Sequence, residues 1–412
     1  MSHLIEASIA HYQKALILAP DRAILHEEIG NLYIRLGKFK QATYYCLKAI
    51  KIDPKPRKVY YYLKYALDCL KLFSLKIDTQ LLAEGIKTLE KGIKNQPEFL
   101  FSQVVLATLY AAKGDLETAE QCLRQASFQQ ISLSHPKLVK SSWDETQKRQ
   151  PDFMILGFPK CGTTSLYAYL TAHPQILSAV MKEIHYFDFL PVDNLDYYLA
   201  HFPQILDRRY LTGEASPSYI LSPNLARKIW KSFPNVKLIV LLRNPIESTI
   251  SLFYQLNRFE IQSFNQSLNK IKKLDTKRLQ ERLDLQLKVI KLDRKEQIKF
   301  LLKQRSADLE SEFLGYVTYS LYLYFLKEWL TVFPREQILI LKSEDLFFNP
   351  ATTLKRVYDF LGLPDSPQAK YRNYNPGSYP PISDNLRRQL AEFFRPYNRQ
   401  LEDYLGMKFN WE

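Results

Sequence analysis

A recurrence of 34 residues near the amino terminus constrains this chain more than any other feature. Tyr12, Ala15 and Pro20 return as Cys46, Ala49 and Pro54, each 34 positions on. Within 23–56, Ile29, Gly30, Tyr33, Gly37, Ala42, Ala49 and Pro54 mark one unit. Leu106, Ala107, Tyr110, Gly114, Ala119 and Ala126 repeat the same spacing. A unit this long with helical spacing and no strand signal is a helix pair. Each pair leaves an apolar face that only its neighbour can bury, so the units must stack. Small residues at Gly30, Ala42 and Ala49 let the paired helices approach closely. Pro54 and Pro97 lie 43 apart, so the unit between them carries extra residues.

This spacing resembles the tetratricopeptide repeat. The resemblance implies an all-α solenoid over 1–130 that presents a surface to a protein or peptide, or serves as a rigid appendage. Residues 131–151 are polar and aperiodic and read as a linker to a second domain, 152–412.

Lys and Arg number 57 against 43 Asp and Glu, a formal charge of +14. Such a surplus favours anionic partners. No helix-turn-helix, zinc-ligand or RNP pattern assigns the charge to nucleic acid, which leaves an anionic cofactor and acceptor. Four scattered cysteines without a C-x-x-C pair read as reduced thiols. There is no signal-peptide pattern and no apolar run of roughly 18 residues, so no membrane span is expected. The expected location is the cytoplasm.

At the start of the second domain, the apolar run from Phe153 to Leu156 suits a buried parallel strand. It enters a loop from Gly157 through Pro159, Lys160, Cys161, Gly162, Thr163, Thr164 and Ser165, followed by helical spacing to Leu170. Strand, glycine-bearing loop and helix form the architecture of an anion cradle, in which backbone N–H groups and the helix dipole attract negative charge. A Walker A motif is excluded, because Thr163 stands where its lysine would be. A second apolar run, Val236 to Leu242, delivers Arg243, Asn244 and Pro245, with Ser251 two helical turns on. Arginine offers a permanent bidentate clamp for phosphate and serine a further donor.

Together these two motifs resemble the sulfotransferases that use 3′-phosphoadenosine-5′-phosphosulfate (PAPS). The family's P-K-x-G-T-[TS] loop matches Pro159 to Thr164, and its R-[DN]-P with a serine eight residues later matches Arg243 to Ser251. The resemblance implies an α/β P-loop-like domain with a central parallel sheet. It implies that Lys160 and residues 161–165 hold the 5′-phosphosulfate, and that Arg243 and Ser251 hold the 3′-phosphate. PAP is the expected product, no metal is implied, and a kinase is disfavoured.

Glu183, Ile184, His185, Tyr186, Phe187 and Asp188 match the E-[VI]-H-[FY]-F-D signature of the heparan-sulfate-type branch. There the glutamate is the general base toward an acceptor hydroxyl or amine. Glu183 is therefore the expected base, with His185 as the alternative, and His185, Asp188 and Ser216 as acceptor contacts. Ala215 replaces the lysine of the family's E-K-[ST]-P stretch at Glu214 to Pro217, which removes one cationic contact. The turn-rich stretch with Tyr374, Gly377, Ser378 and Tyr379 sits where the family folds a loop over the nucleotide, without its K-G-R run. Residues 258–312 read as an amphipathic helix pair or a basic lid over an acidic glycan. The expected reaction is sulfation of a glycan or another hydroxyl or amine acceptor. The alternative is a repeat-based binding module whose second domain sulfates protein tyrosine or is inactive.

Overall fold

The computed structural model describes residues 2–189, 194–205, 207–256, 317–368, 370–372, 374, 377, 382 and 384–411. The chain divides into two compact units. One comprises residues 1–150 with 178–208, the other residues 151–177 with 209–412.

The first unit is helical: α1 (Ser2–Leu18), α2 (Ala23–Arg35), α3 (Phe39–Ile52), α4 (Arg57–Leu72), α5 (Thr79–Asn95), α6 (Phe101–Lys113), α7 (Leu116–Ser134) and α8 (Pro136–Ser142). α7 and α8 thus run into the polar stretch read as a linker. The small residues act as the spacing implies. A Cβ on Gly30 of α2 would lie 2.8 Å from Cys46 Sγ of α3, and Ala42 and Ala49 are buried. Gly114 ends α6 at φ 91°, and Asp115 opens α7 by accepting the Thr118 amide at 3.1 Å. One rank of the core joins Leu47, Ile50, Leu63, Leu67, Leu89 and Leu109 from α3 to α6.

The first unit also takes in 178–208, with α10 (Tyr186–Phe189) on α4 and α11 (Leu195–Leu199) on α7. Three polar features fasten this segment to the repeats. The Gln130 amide donates to Ser178 Oγ at 2.6 Å. Lys148 pairs with Asp196 at 2.6 Å. Lys71 lies 5.8 Å over the Tyr197 ring. Beneath α11, Lys64 and Asp68 form a buried pair at 2.8 Å. Burial, followed by the charge of Lys64, pulls the His201 imidazole down to about 3, so it is neutral.

The second unit holds a five-stranded sheet in the order β2–β3–β1–β4–β5: β1 (Phe153–Gly157), β2 (Ile176–Ser178), β3 (Leu211–Ala215), β4 (Lys237–Leu242) and β5 (Ile338–Lys342). β1 pairs in parallel with β3 and β4, and β4 pairs in parallel with β5. Every residue of β1 is buried, which is why the sequence shows an unbroken apolar run there instead of alternation. The helices are α9 (Thr163–Thr171), α12 (Asn224–Ser232), α13 (Pro245–Leu256), α14 (Tyr322–Val332), α15 (Ser343–Phe348), α16 (Pro350–Leu361) and α17 (Asp384–Leu405). The sheet order reverses around β1, so α9 and α13 follow the carboxyl ends of two adjacent strands, β1 and β4. That is where open α/β sheets gather their ligand contacts. The basic stretch 258–312 lies outside the described residues.

Candidate active site

In the second unit the chain leaves β1 at Gly157 and turns through Phe158–Gly162 into α9. The first bond of that helix runs from the Leu166 amide to the Gly162 carbonyl, 3.0 Å. The amides of Thr163, Thr164 and Ser165 therefore precede the helix's own ladder and sit at its positive end. Two residues of the turn take left-handed backbone, Lys160 at φ 66° and Gly162 at φ 87°. A Cβ at Gly162 would stand 3.0 Å from the Phe347 ring.

Cys161 is turned inward. Its amide donates to the Phe158 carbonyl at 3.2 Å, and its carbonyl accepts from Ser343 Oγ at 2.6 Å. Its Sγ lies 3.7 Å from Tyr322 Oη. Burial pushes the thiol up to about 11, against the opposing Tyr322 hydrogen bond and the Arg243 charge. Cys161 thus shapes the loop and offers no thiolate.

β4 places Arg243 beside this loop. Its Nη1 donates to the Lys160 carbonyl at 3.1 Å, and its guanidinium lies 5.8 Å over the Phe347 ring. Glu247 Oε2 is 4.0 Å from the other terminal nitrogen and is itself held by Arg387 at 2.7 Å. The Arg243 carbonyl accepts from Tyr322 Oη at 2.8 Å. The Asn244 amide donates to Glu344 Oε1 at 2.8 Å, which fixes the entry to α13. Ser251 lies on α13 and is buried.

The carboxy-terminal loop reaches the same helix. The Tyr374 amide donates to Ser165 Oγ at 3.1 Å, and Tyr169 Oη donates to the Arg372 carbonyl at 2.9 Å. Gly377 is exposed, while Ser378 and Tyr379 lie outside the described residues. Ser216, past the end of β3, donates to Glu214 Oε2 at 2.6 Å, and Tyr219 Oη reaches Oε1 at 3.4 Å. Ala215 lies between them in sequence, fully buried.

The first unit carries an acidic cluster of its own. Glu183 and His185 both adopt left-handed backbone, at φ 63° and 58°. For residues with a Cβ this stores strain of order 1–3 kcal/mol each, and such strain gathers at functional sites. Lys182 Nζ pairs with Glu183 Oε1. His185 Nε2 lies 3.6 Å from Glu183 Oε2, and its Nδ1 lies 3.3 Å from Asp188 Oδ2. Burial pushes the Glu183 carboxyl upward, but the His185 hydrogen bond and the Lys182 charge outweigh it and hold the group well below the carboxylate range. Burial pulls His185 down, yet the charge of Asp188 and then the hydrogen bonds to Asp188 and Glu183 raise it to about 9. At neutral pH Glu183 is therefore an anion and His185 a cation.

Lys160, residues 161–165, Arg243 and Tyr374 thus gather in one unit, while Glu183, His185 and Asp188 form a network in the other. The supports that sequence reasoning missed are Tyr322, Ser343 and Glu344. They stand 79 to 182 residues from their partners, and no local pattern marks such pairings.

Residues 150–378 match the sulfotransferase domain, and residues 25–56 and 102–127 match the tetratricopeptide repeat. The chain is 28% identical over 319 residues to "Membrane-associated sulfotransferase kil1" of Dictyostelium discoideum, covering 64% of this chain and 66% of that protein. It is 29% identical over 308 residues to "Heparan sulfate glucosamine 3-O-sulfotransferase 3A1" of Mus musculus, covering 68% of this chain and 70% of that protein. Among solved structures, a sulfotransferase from Alicyclobacillus acidocaldarius aligns with a TM-score of 0.47 at 24% identity, covering 64% of this chain and 99% of that one. Among the described residues no helix is long and apolar enough to cross a membrane, and no group of three or more His, Cys, Asp and Glu is placed to hold a metal ion. Since the matched domain spans more than half of its length, the chain belongs to the sulfotransferase domain family, and its helical unit carries tetratricopeptide repeats.

Proposed function

We propose that the chain transfers a sulfuryl group from PAPS to a hydroxyl or amine of a saccharide acceptor by in-line displacement, with Glu183 as general base. The observation that most supports this reading is the hydrogen bond from Arg243 to the Lys160 carbonyl, which ties the end of β4 to the loop after β1. PAPS supplies an already activated sulfuryl group; the protein's task is to orient and neutralise. The first-turn amides of α9 and the Lys160 ammonium suit the 5′-phosphosulfate. Arg243 and Ser251 suit the 3′-phosphate.

The electrostatics favour Glu183 over His185 as the base. With its affinity raised to about 9, His185 already holds a proton at neutral pH and has no lone pair to accept another. Glu183 is ionised throughout that range. In this reading His185 and Lys182 orient the carboxylate, and Asp188 fixes the imidazolium. The saccharide class is supported by the heparan-sulfate-acting relatives and by the Glu183 to Asp188 signature. The cytoplasmic setting is supported by four free cysteines. The repeats, by their match, support a second reading in which the acceptor is a polypeptide.

Radiolabelled PAPS offered with a heparan-derived oligosaccharide and with a tyrosine peptide tests the reading. Label should enter the oligosaccharide. Lys160→Ala and Glu183→Gln should keep the native circular dichroism and lower turnover roughly 10²–10⁴-fold, the usual worth of a positioned base or charge. Label appearing in the peptide alone would move the assignment to protein sulfation. Unchanged turnover in either variant would remove that residue's role.

A further inference from the structure

The repeats contribute more to the first unit than a frame. α10, which follows Glu183 and His185, packs on α4, so the segment bearing the expected base is seated on a repeat helix. α4 buries Tyr60, Leu63 and Lys64 on one side and exposes Arg57 and Tyr61 on another. These two lie one turn apart and so share a helix face. Tyr61 is 55% exposed, and its ring stacks on Phe101 of α6, with centroids 4.3 Å apart and an interplanar angle of 24°. Arg57 is anchored over Phe99 at 5.1 Å. The Tyr61 phenol also lies within electrostatic reach of both Arg57 and Glu183.

We propose that Tyr61, backed by Phe101, is the platform on which a sugar ring of the acceptor stacks, and that Arg57 takes a sulfate or carboxylate on that sugar or its neighbour. This rests on the reading of Glu183 as the base that receives the acceptor proton. An exposed ring ordered by stacking from behind offers a flat face at little entropic cost, and a pyranose presents a matching flat C–H face. The cation one turn away suits the anionic substituents of an acidic glycan. A helix surface offers no free backbone N–H or C=O for strand addition, so a peptide here would have to be held by its side chains alone. The repeats would then select the acceptor directly, as part of the binding surface around the base.

The test titrates the full-length chain, saturated with PAP, with a heparan-derived hexasaccharide in a calorimeter. Tyr61→Ala should weaken hexasaccharide binding about tenfold, the scale of one lost stacking contact. Tyr61→Phe should stay within about twofold of wild type, since the ring face remains. Arg57→Ala should weaken binding and flatten its salt dependence. PAP binding should be the same in all four proteins. Equal hexasaccharide affinity in wild type and Tyr61→Ala overturns the inference. So does a wild type that ignores the hexasaccharide, or one that binds a tyrosine peptide in a Tyr61-dependent way. Failure of wild type to bind PAP is a separate result and would count against the donor reading instead.

Discussion

The guanidinium of Arg243 donates a hydrogen bond to the backbone carbonyl of Lys160, 3.1 Å away. One strand end thereby braces the loop at the neighbouring strand end. A lysine at 243 keeps the charge but loses the planar fork that can hold the loop carbonyl and a phosphate oxygen together. Arg243→Lys should weaken PAP roughly tenfold or more, with little change in thermal stability. Calorimetric titration checks this, and unaltered PAP affinity would deny Arg243 its place.

Gly162 precedes α9 at φ 87°, and a side chain there would meet the Phe347 ring at 3.0 Å. Phe347 is partly exposed, so the cost falls mainly on the left-handed backbone at this position. Gly162→Ala should therefore cost roughly 1–3 kcal/mol in urea denaturation and weaken PAP as the first-turn amides move. A variant as stable as wild type that binds PAP equally would show the turn to be more tolerant than its geometry implies.

His185 and Glu183 make opposite predictions with pH. His185 is raised from 6.5 to about 9 in the folded chain. The stability it lends is fully present below pH 6.5 and is lost as pH rises toward 9, where the folded chain also gives up the proton. The urea midpoint should fall across that window in wild type and flatten in His185→Gln. Glu183 is depressed, so its contribution is present above its ordinary range and lost in acid. Removing His185 takes away the hydrogen bond that holds the carboxyl down. The acid limb of kcat/KM should then move to higher pH in His185→Gln. A limb that stays in place would show that His185 does not tune Glu183.

Lys64 and Asp68 pair at 2.8 Å with side chains 10% and 8% exposed. Truncating one partner strands the other charge, at a cost of about 3–5 kcal/mol. Asp68→Ala should reach that loss in urea denaturation and raise hydrogen exchange in α11. The double variant Lys64→Met with Asp68→Leu should recover most of it. A stable single variant would mean that the pair does not hold α11 to α4.

The local elements could be read from the sequence because their causes are local. Phe153 to Leu156 is apolar throughout because β1 is covered on both faces, and Gly30 opposite Cys46 marks a close helix pair at the repeat spacing. The seating of 178–208 on the repeats could not be read that way. Tyr197, His201 and α10 pack against Lys64, Lys71 and the rest of α4 more than a hundred residues earlier, and each is ordinary core or surface in its own window. The loop's supports were hidden for the same reason. Ser343 and Tyr322 act on Cys161 and Arg243 through single hydrogen bonds that leave no periodic trace. Tyr374 reads from the sequence as a candidate nucleotide contact in a turn-rich loop, while the bond of its amide to Ser165 Oγ on α9, 209 residues away, leaves no local signal.

The central claim is that one end of the ligand is a 3′-phosphate held by Arg243. Calorimetric titration of the full chain with PAP, adenosine 5′-phosphosulfate and ATP tests it most directly. PAP should bind tightest and adenosine 5′-phosphosulfate roughly a hundredfold more weakly, the worth of a charge-assisted bidentate phosphate contact, with ATP a poor ligand. Equal binding of PAP and adenosine 5′-phosphosulfate, or a preference for ATP, would contradict the account.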